Sequence, residues 1–177
     1  GGSCFQKDIL NLVYLCKYFG LDEVAEYWHQ VVKINDYQKD RFSQIIINHF
    51  GGDLKGIQIA ILGWAFKANS NDSRESASIY VAQKLYDAGA SLKIYDPMVS
   101  KESIYNDIKL YWKTRLNSKD SKVSIIKTIS EFEIIDAYAI LTEWEEFKKY
   151  DWDKIKRTSK IFDGRNITTN YNYSIGK

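Results

Sequence analysis

The run "IQIAILGWAFK", residues 57–67, reads as a short β-rich segment that stops on a glycine. Ile57, Ile59, Ala60, Ile61 and Leu62 are apolar with little alternation, as in a strand buried on both faces of a parallel sheet. A polar loop follows at Asn69–Ser73, and then a helical pattern from about Ser76 to Ala88 that Gly89 stops. Leu92–Tyr95 is the next strand, closed by Asp96-Pro97, which completes a βαβ unit of about 40 residues. Val123–Ile126, Tyr138–Leu141 and Lys160–Phe162 are three further strand candidates. Helical stretches at Ile129–Ile135 and Glu145–Arg157 lie between them, and residues 106–122 are polar enough to read as an insertion or loop. The alternation predicts an α/β fold with an open, mostly parallel sheet and helices on both faces.

Upstream of this unit the texture is helical. Ile9, Leu10, Leu12, Val13 and Cys16 recur at helical spacing over residues 5–19, and Gly20 can end that helix. Asp22 can cap a second helix, with Glu23 in its first turn. Val24, Tyr27, Trp28, Val31, Phe42, Ile45 and Ile46 continue the stripe until Gly51-Gly52. Such a helix of roughly 25 residues is ~38 Å long at 1.5 Å per residue. That exceeds what a small domain needs, so it predicts a spine or a subunit interface. Residues 1–52 and 53–177 are accordingly read as two units.

Composition narrows the function classes. The 177 residues are 45% hydrophobic and 27% charged, as in an ordinary globular protein. A net charge of +2, with both signs interspersed, gives no case for a nucleic-acid partner. No apolar run is long enough to span a bilayer, so no membrane partner is expected. The two cysteines, Cys4 and Cys16, form neither a disulfide framework nor a metal-ligand pattern, and a reducing, cytoplasmic setting is expected with no metal.

Four stretches carry candidate chemistry. In "GGSCFQKD", residues 1–8, Cys4 stands near a helix N-terminus, where amide N–H groups favour a thiolate. Asp8 is one turn further on the same face, placed to act as a base, and Lys7 can meet an anion. Gly1 and Gly2 allow close approach to the backbone. An ordinary cysteine near a helix cap fits the same pattern. In "ILGWAFK", residues 61–67, Gly63 follows the first strand, where ligands dock on open parallel sheets, yet a full G-x-G-x-x-G is absent. Phe66 is either a ligand contact or a packed loop residue. "DSRES", residues 72–76, offers Arg74 to an anion or simply to solvent, with Ser73 or Asp72 as the cap. "FDGRN", residues 162–166, sets Arg165 just past a strand and a glycine.

In this order, "GGSCFQKD", "ILGWAFK", "DSRESAS", "IYDP", "LTEW" and "FDGR" resemble the signatures of the nucleotide-sugar 6-dehydrogenase family, from residue 1 to about 167. The resemblance implies a Rossmann-like second unit that binds a UDP-sugar and a long helix used in dimerisation, hence a homo-oligomer. It implies NAD as cofactor, bound mainly by a domain preceding residue 1, so that this chain alone has no turnover. Cys4 then resembles the nucleophile and Asp8 the carboxylate that assists proton movement. Gly1, Phe66, Lys67 and Arg165 match substrate-binding positions. Cys4, Phe5, Gln6, Lys7 and Arg74 match positions against the cofactor. UDP-glucose is the expected substrate, with a UDP-N-acetylhexosamine, GDP-mannose or a non-catalytic binding and dimerisation module as alternatives.

Overall fold

The computed structural model describes residues 3–112, 121–128 and 135–176. Helix α1 (Ser3–Tyr18) turns at Gly20, whose φ of 72° is left-handed, and the Leu21 amide donates back to the Cys16 carbonyl. Helix α2 (Asp22–His49) is 28 residues long, about 42 Å at 1.5 Å per residue. Leu21 occupies its cap position with no side-chain hydrogen bond, so Asp22 is its first residue and favours the helix dipole instead of capping it.

Six strands follow: β1 (Gln58–Leu62), β2 (Ser91–Tyr95), β3 (Val123–Ile125), β4 (Ala137–Ile140), β5 (Lys160–Asp163) and β6 (Tyr173–Ser174). They lie in the order β3-β2-β1-β4-β5-β6, and every pairing is parallel. The expected sheet is present. Its edge strand β6, two residues long, has no counterpart in the sequence reading.

The helices differ from expectation in three places. Helix α3 (Ala77–Asp87) is capped by Ser76, whose side chain accepts from the Ser78 amide. Ser73 and Asp72 sit too early to cap it, because the chain makes one more turn through Glu75 at φ 57°. Helix α4 (Lys101–Tyr111) occupies the first part of the stretch expected to be a loop. Ser100 caps it, and Ile104, Ile108 and Trp112 are buried at four-residue steps. The single helical stretch expected at Glu145–Arg157 is two, α5 (Glu145–Lys148) and α6 (Trp152–Thr158), because Asp151 starts a new cap by accepting from the Lys154 amide. The helix expected at Ile129–Ile135 falls almost wholly outside the described residues, as does the remainder of the expected insertion.

Apolar burial divides in two. The larger core gathers β1, β4, α3 and the end of α2, where Phe42 and Ile46 are enclosed. A small second core of Ile9, Val13, Cys16 and Ala25 joins α1 to the start of α2. Among the described residues no helix is long and apolar enough to cross a membrane.

Candidate functional site

Strand β1 lies between β2 and β4, and the chain direction of travel through the sheet reverses between β1 and β4. At such a switch point the loops leaving the strand ends splay apart and open a crevice. Here the crevice is bounded by the loops after β1, β4 and β5.

Those loops are interlocked through one glycine and one carboxylate. Gly63 ends β1 with φ 94°, and a side chain there would put its Cβ 2.3 Å from the Cβ of Thr142. Only glycine satisfies both the torsion and the contact. The space so kept lets Thr142 Oγ1 donate to the Ala65 carbonyl at 2.6 Å, tying the β4 loop to the β1 loop. Asp96, at the end of β2, is buried and accepts five N–H groups. Its Oδ2 takes the amides of Trp64 (2.6 Å) and Ala65 (2.9 Å) and the indole Nε1–H of Trp144 (3.1 Å). Its Oδ1 takes the amides of Met98 (2.9 Å) and Val99 (2.8 Å). A second acid, Asp107 on α4, accepts from Trp64 Nε1 at 2.9 Å and from Ser73 Oγ at 2.6 Å.

Three of the expected substrate residues meet on this frame. Arg165 donates from Nε to the Leu141 carbonyl at 2.7 Å and from Nη2 to the Phe66 carbonyl at 3.4 Å, bridging the β4 and β1 loops. Its own backbone amide is held by the buried Asp163 at 2.8 Å. The Glu143 carboxylate lies 3.5 Å from Arg165 Nε as its ionic partner. Phe66 is partly buried, and Lys67 is exposed with Nζ 5.4 Å from the Phe66 ring centre. The arrangement is a rigid wall ending in two cations and one aromatic face, suited to an anionic ligand carrying a planar or sugar group.

The remaining candidates lie on α1 and in the loop before α3. Cys4, Phe5, Lys7 and Asp8 are exposed on the first turns of α1, with Gln6 partly buried, and Gly1 lies outside the described residues. Arg74 is exposed and gripped by Asp72, through Nε at 2.9 Å and Nη2 at 2.8 Å. Asp72 raises the pKa of Arg74, through these bonds first and its charge second, and Cys4 and Tyr111 add to the rise. In return the Arg74 hydrogen bonds hold the Asp72 carboxyl below its ordinary range. Among the described residues no three His, Cys, Asp or Glu side chains gather as a metal ion would need.

Asp96, Thr142 and Glu143 stand in the motifs "IYDP" and "LTEW", whose pattern alone gives these three residues no role. An aspartate ending a strand was the available signal, although its partners are far apart in the chain.

Comparison with known proteins gives these residues a context. The profile described as "UDP-glucose/GDP-mannose dehydrogenase family, UDP binding domain" matches residues 60–170. UDP-glucose 6-dehydrogenase 4 of Arabidopsis thaliana is 45% identical over 200 aligned positions, covering 100% of this chain and 42% of that protein. The UDP-glucose 6-dehydrogenase of Gallus gallus is 48% identical, covering 94% of this chain and 35% of its own length. The chain thus spans roughly two fifths of the curated relatives it matches. Among solved structures, a UDP-glucose dehydrogenase from Pyrobaculum islandicum superposes with a TM-score of 0.75 at 25% identity, over 98% of this chain and 37% of that one. A GDP-mannose dehydrogenase from Pseudomonas aeruginosa shares the fold, with a TM-score of 0.68 at 23% identity over 92% of this chain and 35% of that one. The chain belongs to the UDP-glucose/GDP-mannose dehydrogenase family, and residues 60–170 are its UDP binding domain.

Proposed function

We propose that this chain is part of an NAD-dependent UDP-glucose 6-dehydrogenase, in which residues 53–177 hold the UDP-sugar and residues 1–52 present Cys4 to it. The relatives named UDP-glucose 6-dehydrogenase, 45–48% identical along nearly all of the chain, support the substrate. The observation that supports the site is that Arg165 donates to the Leu141 and Phe66 carbonyls and so joins the loops after β4 and β1, the latter carrying Phe66 and Lys67.

The reaction oxidises the C6 alcohol of the sugar to a carboxylate. Loss of a hydride and a proton gives the aldehyde, and the Cys4 sulfur adds to its carbonyl carbon to form a thiohemiacetal. Loss of a second hydride leaves a thioester. Water then attacks that carbon, the C–S bond breaks, and the carboxylate and the free thiol are released. Asp8, one helical turn beyond Cys4, is placed to take the proton of the attacking water. Gly1, Phe66, Lys67 and Arg165 hold the substrate against the sulfur. NAD, when bound, accepts the hydride in each oxidation, two per turnover.

The residues present fit part of a dinucleotide site. Arg74 is an exposed guanidinium suited to a phosphate, and Cys4, Phe5, Gln6 and Lys7 are assigned to the cofactor with it. The chain spans roughly two fifths of its curated relatives, and the remaining contacts are assigned to the part of such an enzyme that it does not span. This chain alone then binds UDP-glucose without turnover. The exposed aromatic side chains of α1 and α2, Tyr14, Tyr18, Phe19, Tyr27 and Tyr37 among them, support a homodimer formed along these helices. Cys4 and Cys16 are both free thiols, in keeping with a cytoplasmic enzyme.

Thermal melting with UDP-glucose, UDP and GDP-mannose side by side tests the reading. Ligand at 100 times its dissociation constant adds ~2.7 kcal/mol of stability. A shift with the two uridine ligands alone is expected. A preference for GDP-mannose overturns the substrate, and no shift with any ligand overturns the site.

A further inference from the structure

Asp96 is the most heavily engaged side chain at the crevice, and it is buried with all five of its bonds made to the protein itself. Its five donors come from three different loops, and three of them share one oxygen. Two of those three are consecutive amides, Trp64 and Ala65, which can point to one atom only because the chain has just turned at Gly63 with φ 94°. The same four-residue segment is pinned elsewhere. The Gly63 amide donates to the Tyr95 carbonyl at 2.8 Å, the Phe66 amide to the Asp72 carbonyl at 3.0 Å, and Thr142 grips the Ala65 carbonyl. Lys67 is the first exposed residue after this clamp. The direction in which Phe66 and Lys67 leave the frame is therefore set by where the Trp64 and Ala65 amides are held. Trp144 extends the clamp to the loop that carries Glu143, the neighbour of Arg165.

We infer that Asp96 is a positioning residue for UDP-sugar binding, acting through the Trp64 and Ala65 amides to fix Phe66 and Lys67. The inference rests on the substrate site proposed above. Asparagine is the informative replacement. It keeps the shape of aspartate but has one acceptor oxygen in place of two, so its NH2 group must face either the Trp64, Ala65 and Trp144 donors or the Met98 and Val99 donors. In either orientation buried N–H groups lose their acceptor, and the loop gives way to satisfy them.

The test is a double-mutant cycle read by calorimetric titration of the chain with UDP-glucose, using the unmodified protein, Asp96→Asn, Lys67→Ala and the double variant. Asp96→Asn is expected to weaken binding about tenfold, the scale of a lost hydrogen bond to a charged group. Because Lys67 is one of the two residues that Asp96 fixes, the double variant is expected to lose clearly less binding than the two single losses combined. A general loss of structure adds to the effect of Lys67→Ala instead, so the cycle separates positioning from mere stability. Additive losses, or unchanged binding by Asp96→Asn, overturn the inference while leaving the substrate site standing. An unmodified chain that binds no UDP-glucose overturns the site itself. Should Asp96→Asn fail to fold, Trp144→Phe removes one donor and leaves the carboxylate. Paired with Lys67→Ala, it is expected to show the same non-additivity on a smaller loss, of about threefold, and additivity there overturns the inference equally.

Discussion

Around the sheet, Trp64, Phe147, Phe162 and Ile46 are wholly enclosed, whereas on α1 and the first half of α2 Tyr14, Tyr18, Phe19 and Tyr27 stand in solvent. Both regions are rich in large apolar side chains, and their secondary structure is equally regular. They differ in what lies opposite. A sheet with helices on its faces closes its own core. Two helices bury one stripe each and leave their remaining faces open. Helix α2 belongs to both regions, since Ala25 packs in the small core and Phe42 and Ile46 in the large one. Stability and association are therefore expected to separate along a single helix.

The largest effect should come from the sheet. Gly63→Ala demands both a left-handed alanine and a Cβ inside Thr142, and about 4 kcal/mol of destabilisation is expected in urea denaturation. A loss below about 1 kcal/mol would show that the loops after β1 and β4 are less tightly locked than their geometry implies. Next comes Ile46→Ala, at the sheet end of α2, with a cost of about 3 kcal/mol. Tyr27→Ser, at the other end of the same helix, should stay within about 0.5 kcal/mol in the monomer. Sedimentation should nonetheless show it weakening self-association. Equal costs at the two ends would break the contrast.

A smaller effect is expected from alkali. Burial first, and the hydrogen bond to Glu146 second, push the phenols of Tyr95 and Tyr150 well above the ordinary range, and burial and Glu75 do the same for Tyr80. In the unfolded chain these phenols ionise near the usual value of about 10. Above that pH unfolding releases protons, so stability is fully present below about pH 10 and falls as pH rises toward the folded values. Absorbance titration should show Tyr80, Tyr95 and Tyr150 ionising later in the folded chain than in the unfolded one. In Glu146→Gln, Tyr95 and Tyr150 should ionise earlier while Tyr80 does not move. The least change is expected from Asp72→Asn. It loosens an exposed arginine without touching either core, and a shifted melting midpoint would contradict that.

The sequence showed the elements whose pattern is local. Strand β1 is a plain apolar run, Gly20 and Gly51-Gly52 mark helix ends, and α2 keeps one stripe over its full length. Helix α4 was hidden because Asn106, Asp107 and Lys109 lie among its few buried positions, Ile104, Ile108 and the capping Trp112, and make the stretch read as polar. Strand β6 is too short to carry any period. Within the site, Arg165 and Phe66 were legible as residues following strands, but Asp96 was not. Three of its five donors lie 31 and 32 residues before it and 48 after it, and only the folded sheet brings those to one carboxylate.

The strand order also governs how the molecule must assemble in time. Strand β1 sits at the centre, but its second neighbour β4 pairs Ile59 with Ala137, far along the chain. No hairpin can supply that pairing, and contacts so distant in sequence are late and slow to form. During synthesis from the N-terminus, β1, β2 and β3 are complete while one edge of the apolar β1 still waits for β4. An uncovered edge of that kind invites strand addition by another copy. Chains ending at residue 128 are expected to aggregate, whereas chains extended through β5 remain dispersed, a difference that light scattering of the two products would reveal.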